Sequence, residues 1–141
     1  MTFLEHWVEE VWNKGRAEAI DLLVLPNVIH HGLLHPDGTP VENHTAFRAF
    51  HKQFRASFSD LYIKVEQTIT EGNLTVARCT VTATHTGDGL GYPATGRPVR
   101  ITGIIIARIE DGLLAEAWNQ FDFASLIQQV SDRRDPASPV R

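Results

Sequence analysis

The hydrophobic positions change their period once along the chain. In residues 2 to 14, Phe3, Leu4, Trp7, Val8, Val11 and Trp12 recur at steps of three and four with Glu5, Glu9 and Glu10 between them, which predicts an amphipathic helix stopped at Gly15. A shorter helix is expected from Arg16 to Leu23, before Pro26 ends it. "NVIHHG" reads as a short strand, and "LLHPDGTPVEN", with its Pro-Asp-Gly signal, as a loop. In "HTAFRAFHKQFRASF", Phe47, Phe50, Phe54 and Phe58 form an apolar helical stripe that needs a large surface to lie on.

From Asp60 onward the period falls from near 3.6 to 2. "LYIKVEQTIT" and "LTVARCTVTATHTG" predict a hairpin about the Gly72-Asn73 turn. In the second of these strands Ala77, Cys79, Val81, Ala83 and His85 share one face, so His85 falls on the apolar side. "DGLGYPATGRP" is a Gly- and Pro-rich connection, either a lid or a plain link; "VRITGIIIARIE" and "LLAEAWNQFD" are two more strands joined by a tight Asp-Gly turn. Residues 123 to 130 suit a closing helix, and residues 131 to 141 have little to bury and are expected to be a mobile tail. Helices followed by a four-stranded antiparallel meander predict an α+β fold over residues 1 to 130: a single domain in which helices cover one face of a curved, cone-shaped sheet with an open mouth, suited to a small ligand.

Composition narrows the function. The 141 residues fit one domain, 43% hydrophobic and 21% charged, with seven Phe, three Trp and two Tyr as large packing units. A formal net charge of −4 argues against nucleic acid as a partner, since phosphate binding needs a basic face. No apolar run reaches membrane-spanning length, and the acidic, amphipathic N-terminus is unlike a signal peptide, so neither a membrane partner nor secretion is expected and a cytoplasmic location is. The one cysteine, Cys79, forms no internal disulfide and reads as a small core residue.

The segment "VARCTVTATHTGDGLGYPATGRPVRITGIIIARIEDGLLAEAWNQFDFASLIQQV" resembles the SnoaL-like polyketide cyclases of the nuclear transport factor 2-like (cystatin-like) superfamily. The shared pieces are Thr-His-x-Gly, Gly-x-Pro-x-Thr-Gly, Arg-Ile-x-Asp-Gly and a Trp-bearing strand that ends in Asp. The resemblance implies a cofactor-independent enzyme that closes a ring by an intramolecular aldol reaction on a small hydrophobic carbonyl compound, with no metal and no organic cofactor. It also implies that Asp122 is the catalytic acid/base and that His85 corresponds to the family His. One departure stands out: Ile105 occupies a position, three residues before Arg108, at which those cyclases carry a His.

A carboxyl can serve as base and then as acid if burial lifts it toward neutrality, and Phe121, Phe123 and Trp118 would be the walls that do so. Asp122 also suits the N-cap of the helix that begins at Phe123, and the two roles are compatible. His85 would orient Asp122 or donate to an enolate oxygen; the alternative is a half-buried histidine satisfied by backbone. On strand alternation Trp118 and Gln120 share the face of Asp122 and are candidate substrate contacts, whereas Asn119 should point away. His30 and His31 lie on opposite faces, and His31 is the one taken for the pocket. Phe50, Phe54 and Tyr92 complete the candidate substrate-binding set. The spacing of His30, His31, His35 and His44 matches no zinc template, so no metal site is expected.

Two other functions remain open. One is epoxide hydrolysis, isomerisation or dehydration in the same pocket, although Arg78, Arg97, Arg100 and Arg108 do not point inward in any obvious way for an Asp-Arg-Asp hydrolase set. The other is a non-catalytic module that binds a small ligand and pairs as a homodimer through exposed strand residues such as Ile104 and Ile106.

Overall fold

A computed structural model describes residues 1–131; of the tail expected over residues 131 to 141, Ser131 belongs to the last helix and the rest lies outside the described residues. The elements are α1 (Phe3–Trp7), a π-helix (Val8–Asn13), α2 (Ala17–Leu23), β1 (Val24–His31), α3 (His44–Ser57), β2 (Tyr62–Glu71), β3 (Leu74–Thr84), β4 (Pro98–Glu110), β5 (Leu113–Phe121) and α4 (Phe123–Ser131). They form the α+β domain that the patterning predicts. Two details differ. The first helix is α-helical only to Trp7, and the strand after α2 begins at Val24, so Pro26 lies within it; β1 runs along the sheet edge, where a missing backbone donor is tolerated.

The π-helix has a consequence for packing. In an α-helix, residues five apart are about 140° out of phase, but i→i+5 hydrogen bonding stacks them. Lys14 N–H accordingly donates to the Glu9 carbonyl at 2.8 Å, and Trp7 and Trp12 come to face the same interior space. The Asn13 side chain holds this segment to the sheet, donating to the Ile63 carbonyl (2.9 Å) and accepting from the Ile63 N–H (2.7 Å), as a neighbouring strand would. His51 of α3 adds a hydrogen bond to the Val11 carbonyl at 2.7 Å.

The sheet order is β1-β5-β4-β3-β2. The meander of β2 to β5 is antiparallel, and β1 adds a parallel fifth strand beside β5. Irregularities between Val65 and Gln67 and between Arg108 and Ile109 help the sheet curl around α3. On the concave face Ala77, Cys79, Val81 and Ala83 of β3 and Val99, Ile101, Ile105 and Ala107 of β4 are buried. Phe47, Phe50 and Phe54 of α3 are buried against that interior, each stabilising by roughly 1.5–3 kcal/mol. Asn43 caps α3 by accepting from the Ala46 N–H at 2.9 Å.

Gly103 of β4 fixes the wall opposite. It pairs with Phe121, whose ring lies where a Cβ at position 103 would be, 2.2 Å from the nearest ring carbon. Gly103→Ala is expected to displace Phe121 and to lower stability by about 1–3 kcal/mol, measured by urea unfolding; an unchanged midpoint would show that the ring moves freely.

Candidate active site

Between α1, the π-helix, α3 and the concave sheet lies a cavity of about 50 Å3. Its walls are aromatic and aliphatic: Trp7 and Trp12 from the N-terminal helices, Phe47, Phe50 and Phe54 from α3, and Ile101, Ile105 and Phe121 from the sheet, with Phe123 at the start of α4. Outside it lies an open vestibule of about 310 Å3, bounded by Leu34, His35, Leu90, Tyr92, Leu126 and Ile127. The two spaces share Phe50, Phe54 and Phe123. Small-molecule sites usually span roughly 300–1,000 Å3, a range that the cavity alone falls short of and the vestibule reaches.

Apart from indole N–H groups, two side chains among the described residues bring polarity into the cavity. His30, on β1, is 2% exposed and its ring stacks on Phe47 with centroids 4.4 Å apart. Neither ring nitrogen has a hydrogen-bond partner among the described residues. Burial, and after it the positive charge of nearby His44 and His31, pushes its pKa down to about 4, so the ring is neutral at pH 7, with one N–H donor and one acceptor nitrogen. Asn119, on β5, donates through Nδ2 to the His31 carbonyl at 3.0 Å. Gly32, with φ +87°, makes room for this: a Cβ there would sit 1.9 Å from the Asn119 carbonyl oxygen.

Asp122 is not part of this cavity. Its side chain is exposed, and Oδ1 accepts the Ser125 N–H at 3.1 Å, capping α4. It borders an open depression on the outer face with Gln120, Thr102 and Arg78. The expected alternation of β5 is present, but with the opposite face inward: Ala117, Asn119 and Phe121 point in, whereas Trp118, Gln120 and Asp122 point out. Trp118 stacks on His31 (5.4 Å) on that outer side. His31 is likewise corrected, since its Nε2 lies 2.7 Å from Glu116 Oε2 and Glu116 reaches Arg108 at 3.3 Å. The His31 hydrogen bond, followed by Arg108, holds the Glu116 carboxyl below its usual range.

His85 is on the apolar side as expected and is fully buried, yet it does not line the cavity. Its ring packs on Phe58 at 5.5 Å, and Nδ1 accepts the Thr95 N–H at 3.3 Å, which ties down the connection between β3 and β4. Phe50 and Phe54 line the cavity; Tyr92 lines the vestibule only. Ile105, where the resemblance would place a His, faces the cavity and leaves that wall aliphatic. Among the described residues no three His, Cys, Asp or Glu side chains converge as metal ligands.

The desolvated imidazole has a measurable signature. Because the folded pKa of His30 is depressed from 6.5 to about 4, the unfolded chain binds a proton in that window that the folded chain refuses. The stability this group contributes is therefore present above pH 6.5 and is lost as pH falls toward 4. Wild type is expected to lose about 2–3 kcal/mol more than a His30→Phe variant between pH 7 and pH 4.5, by urea unfolding, and equal losses would contradict the burial of an unpaired ring.

Comparison with known proteins agrees with this architecture. TsrD from Streptomyces laurentii is 28% identical, with 92% of each chain covered and a TM-score of 0.76. IdmH from Streptomyces antibioticus, a candidate polyketide cyclase, is 27% identical over 86% of this chain and 91% of its own, with a TM-score of 0.72. A candidate SnoaL-like polyketide cyclase from Jannaschia sp. CCS1 shares the fold at 22% identity, covering 97% of this chain and 91% of the other, with a TM-score of 0.79. No curated protein matches the chain. The SnoaL-like polyketide cyclase family model matches residues 3–130, nearly all of the described chain, and the protein belongs to that family.

Proposed function

We propose that the protein acts on a small, largely apolar carbonyl compound by acid/base carbon chemistry of the cyclase type, and that His30 handles the proton. The observation that carries this is the His30 ring, which has no hydrogen-bond partner among the described residues and is the one titratable side chain that they contribute to the cavity walls. In an intramolecular aldol closure one ring nitrogen takes a proton from the carbon next to a carbonyl. The resulting enolate attacks the second carbonyl, and the imidazolium returns its proton to the new alkoxide. The product is an isomer of the substrate, so the balance requires no oxidant, metal or organic cofactor.

A pKa near 4 makes the free ring a weak base, and the magnitude of its coupling to the enolate decides whether the step is feasible. An enolate about 4 Å from the imidazolium contributes roughly 4 kcal/mol at an effective dielectric of 20, or about three pKa units. That offsets the depression caused by burial. The apolar site therefore disfavours a lone imidazolium and tolerates an imidazolium–enolate pair. In this reading the second N–H of Asn119 Nδ2, the first being donated to the His31 carbonyl, holds a carbonyl oxygen of the substrate.

A binding module without turnover is the second reading, favoured by the lack of any carboxylate among the described residues that line the cavity and by the outward position of Asp122. Epoxide opening by an Asp-Arg-Asp set finds neither residue type among the described residues that line the cavity. The homodimer belongs to the proposal too. Ile104 and Ile106 are 43% and 37% exposed on the outer sheet face, and Ile106 pairs with Val76 on one side and Trp118 on the other, forming a continuous apolar strip suited to a second copy. No helix among the described residues is long and apolar enough to cross a membrane.

Two experiments test these statements. Exchange of the α-protons of 2-tetralone in D2O, followed by NMR, is expected to be catalysed by the wild type and slowed about 100-fold or more in His30→Phe; tight binding with no exchange would favour the module, and equal exchange would remove His30 from the chemistry. Sedimentation velocity is expected to show a dimer that Ile106→Glu converts to a monomer, and a monomeric wild type would refute the interface.

A further inference from the structure

We propose that Asp122 is a positioning residue that controls access to the cavity: its carboxylate caps α4 and thereby holds Phe123 as the partition between cavity and vestibule. This goes beyond the chemistry proposed for His30, because it concerns entry and requires no turnover. Phe123 is the first residue of α4 and borders both spaces. Its ring meets Phe54 edge-on at 6.3 Å and lies 6.1 Å from Phe121, so three rings converge where the two spaces meet.

The two ends of α4 are secured by different means. At the C-terminal end, Gln129 accepts from the Arg100 N–H and donates to the Arg100 carbonyl, both at 3.0 Å, continuing the β4 ladder where β5 has ended, and Val130 is 2% exposed. At the N-terminal end, Asp122 N–H donates to the Thr102 carbonyl at 3.1 Å and Oδ1 satisfies the Ser125 N–H. Without that acceptor the first turn has an orphan donor and frays, carrying Phe123 out of the partition while the anchored end stays docked. The Asp122 side chain makes no ion pair among the described residues, so the cap is the function its geometry supports. Asparagine offers the same acceptor without the charge.

Acrylamide quenching of the cavity tryptophans Trp7 and Trp12 tests this without any ligand, in a Trp118→Phe background that removes the outer-face indole. Asp122→Asn is expected to match the background, whereas Asp122→Ala and Phe123→Ala each raise the quenching constant about twofold or more, and the double variant rises no further than Phe123→Ala alone. Asp60→Ala, which removes two hydrogen bonds to Thr84, lowers stability without touching α4 and should leave quenching unchanged. The proposal is overturned if Asp122→Ala quenches like the background, if Asp122→Asn and Asp122→Ala rise alike, if Phe123→Ala has no effect, or if Asp60→Ala produces the same rise. None of these outcomes bears on proton exchange at His30, so the two proposals fail separately.

Discussion

The register between β4 and β5 decides which side chains the cavity receives. Pairing Gly103 with Phe121, Ile105 with Asn119 and Ala107 with Ala117 turns those six residues inward, and a slip of one position would exchange them for Ile104, Ile106, Trp118 and Gln120. Gly103 keeps the register from slipping, because the Phe121 ring occupies the space that any other residue would need for its Cβ. Asp122 follows directly after Phe121 and is therefore sent to the outer face, where the adjoining helix uses its carboxylate.

The same constraint concentrates the chemistry. With aromatic rings from four helices closing over the concave sheet, the polarity that the described residues supply enters the cavity at β1 and at β5, through His30 and Asn119, and at the indole rims. An imidazole placed there loses its hydration and gains no hydrogen bond from the described residues, so it stays neutral well below its ordinary range and keeps both nitrogens available to a ligand. The π-helix contributes by swinging Trp12 into line with Trp7, which deepens the apolar surroundings that set the state of the ring. A site of this kind favours reactions in which charge forms as a close pair and disfavours those that leave an isolated ion.

Much of the fold was legible in the sequence, because helix and strand periods differ and the phenylalanine stripe of α3 is strong. That stripe is enough to bury Phe50 and Phe54, and strand alternation is enough to bury His85. The π-helix was not legible, since Trp7 and Trp12 also suit an α-helical stripe at the resolution of a period count. Alternation alone does not say which face of β5 turns inward: the resemblance puts Asp122 in the pocket and takes Trp118 and Gln120 in with it, whereas the polar run of Glu116, Gln120 and Asp122 on that side is the signal for the outer face. His30 and His31 could not be separated from local pattern, as Val28 and Ile29 are equally apolar. Their fates follow from β1 pairing beside β5, which brings Glu116 and Trp118 to His31 and the cavity to His30. Non-local pairing of this sort leaves no local trace.

The most direct test of the account is the protonation state of His30 itself, followed by two-bond proton–nitrogen correlation spectra of histidine-labelled protein from pH 7.5 down to the acid limit of folding. A ring that stays neutral to below pH 5, in a single tautomer that changes environment when an apolar ketone binds, is the predicted result. Titration of His30 near 6.5, or indifference of its nitrogens to any ligand that enters the cavity, would contradict it.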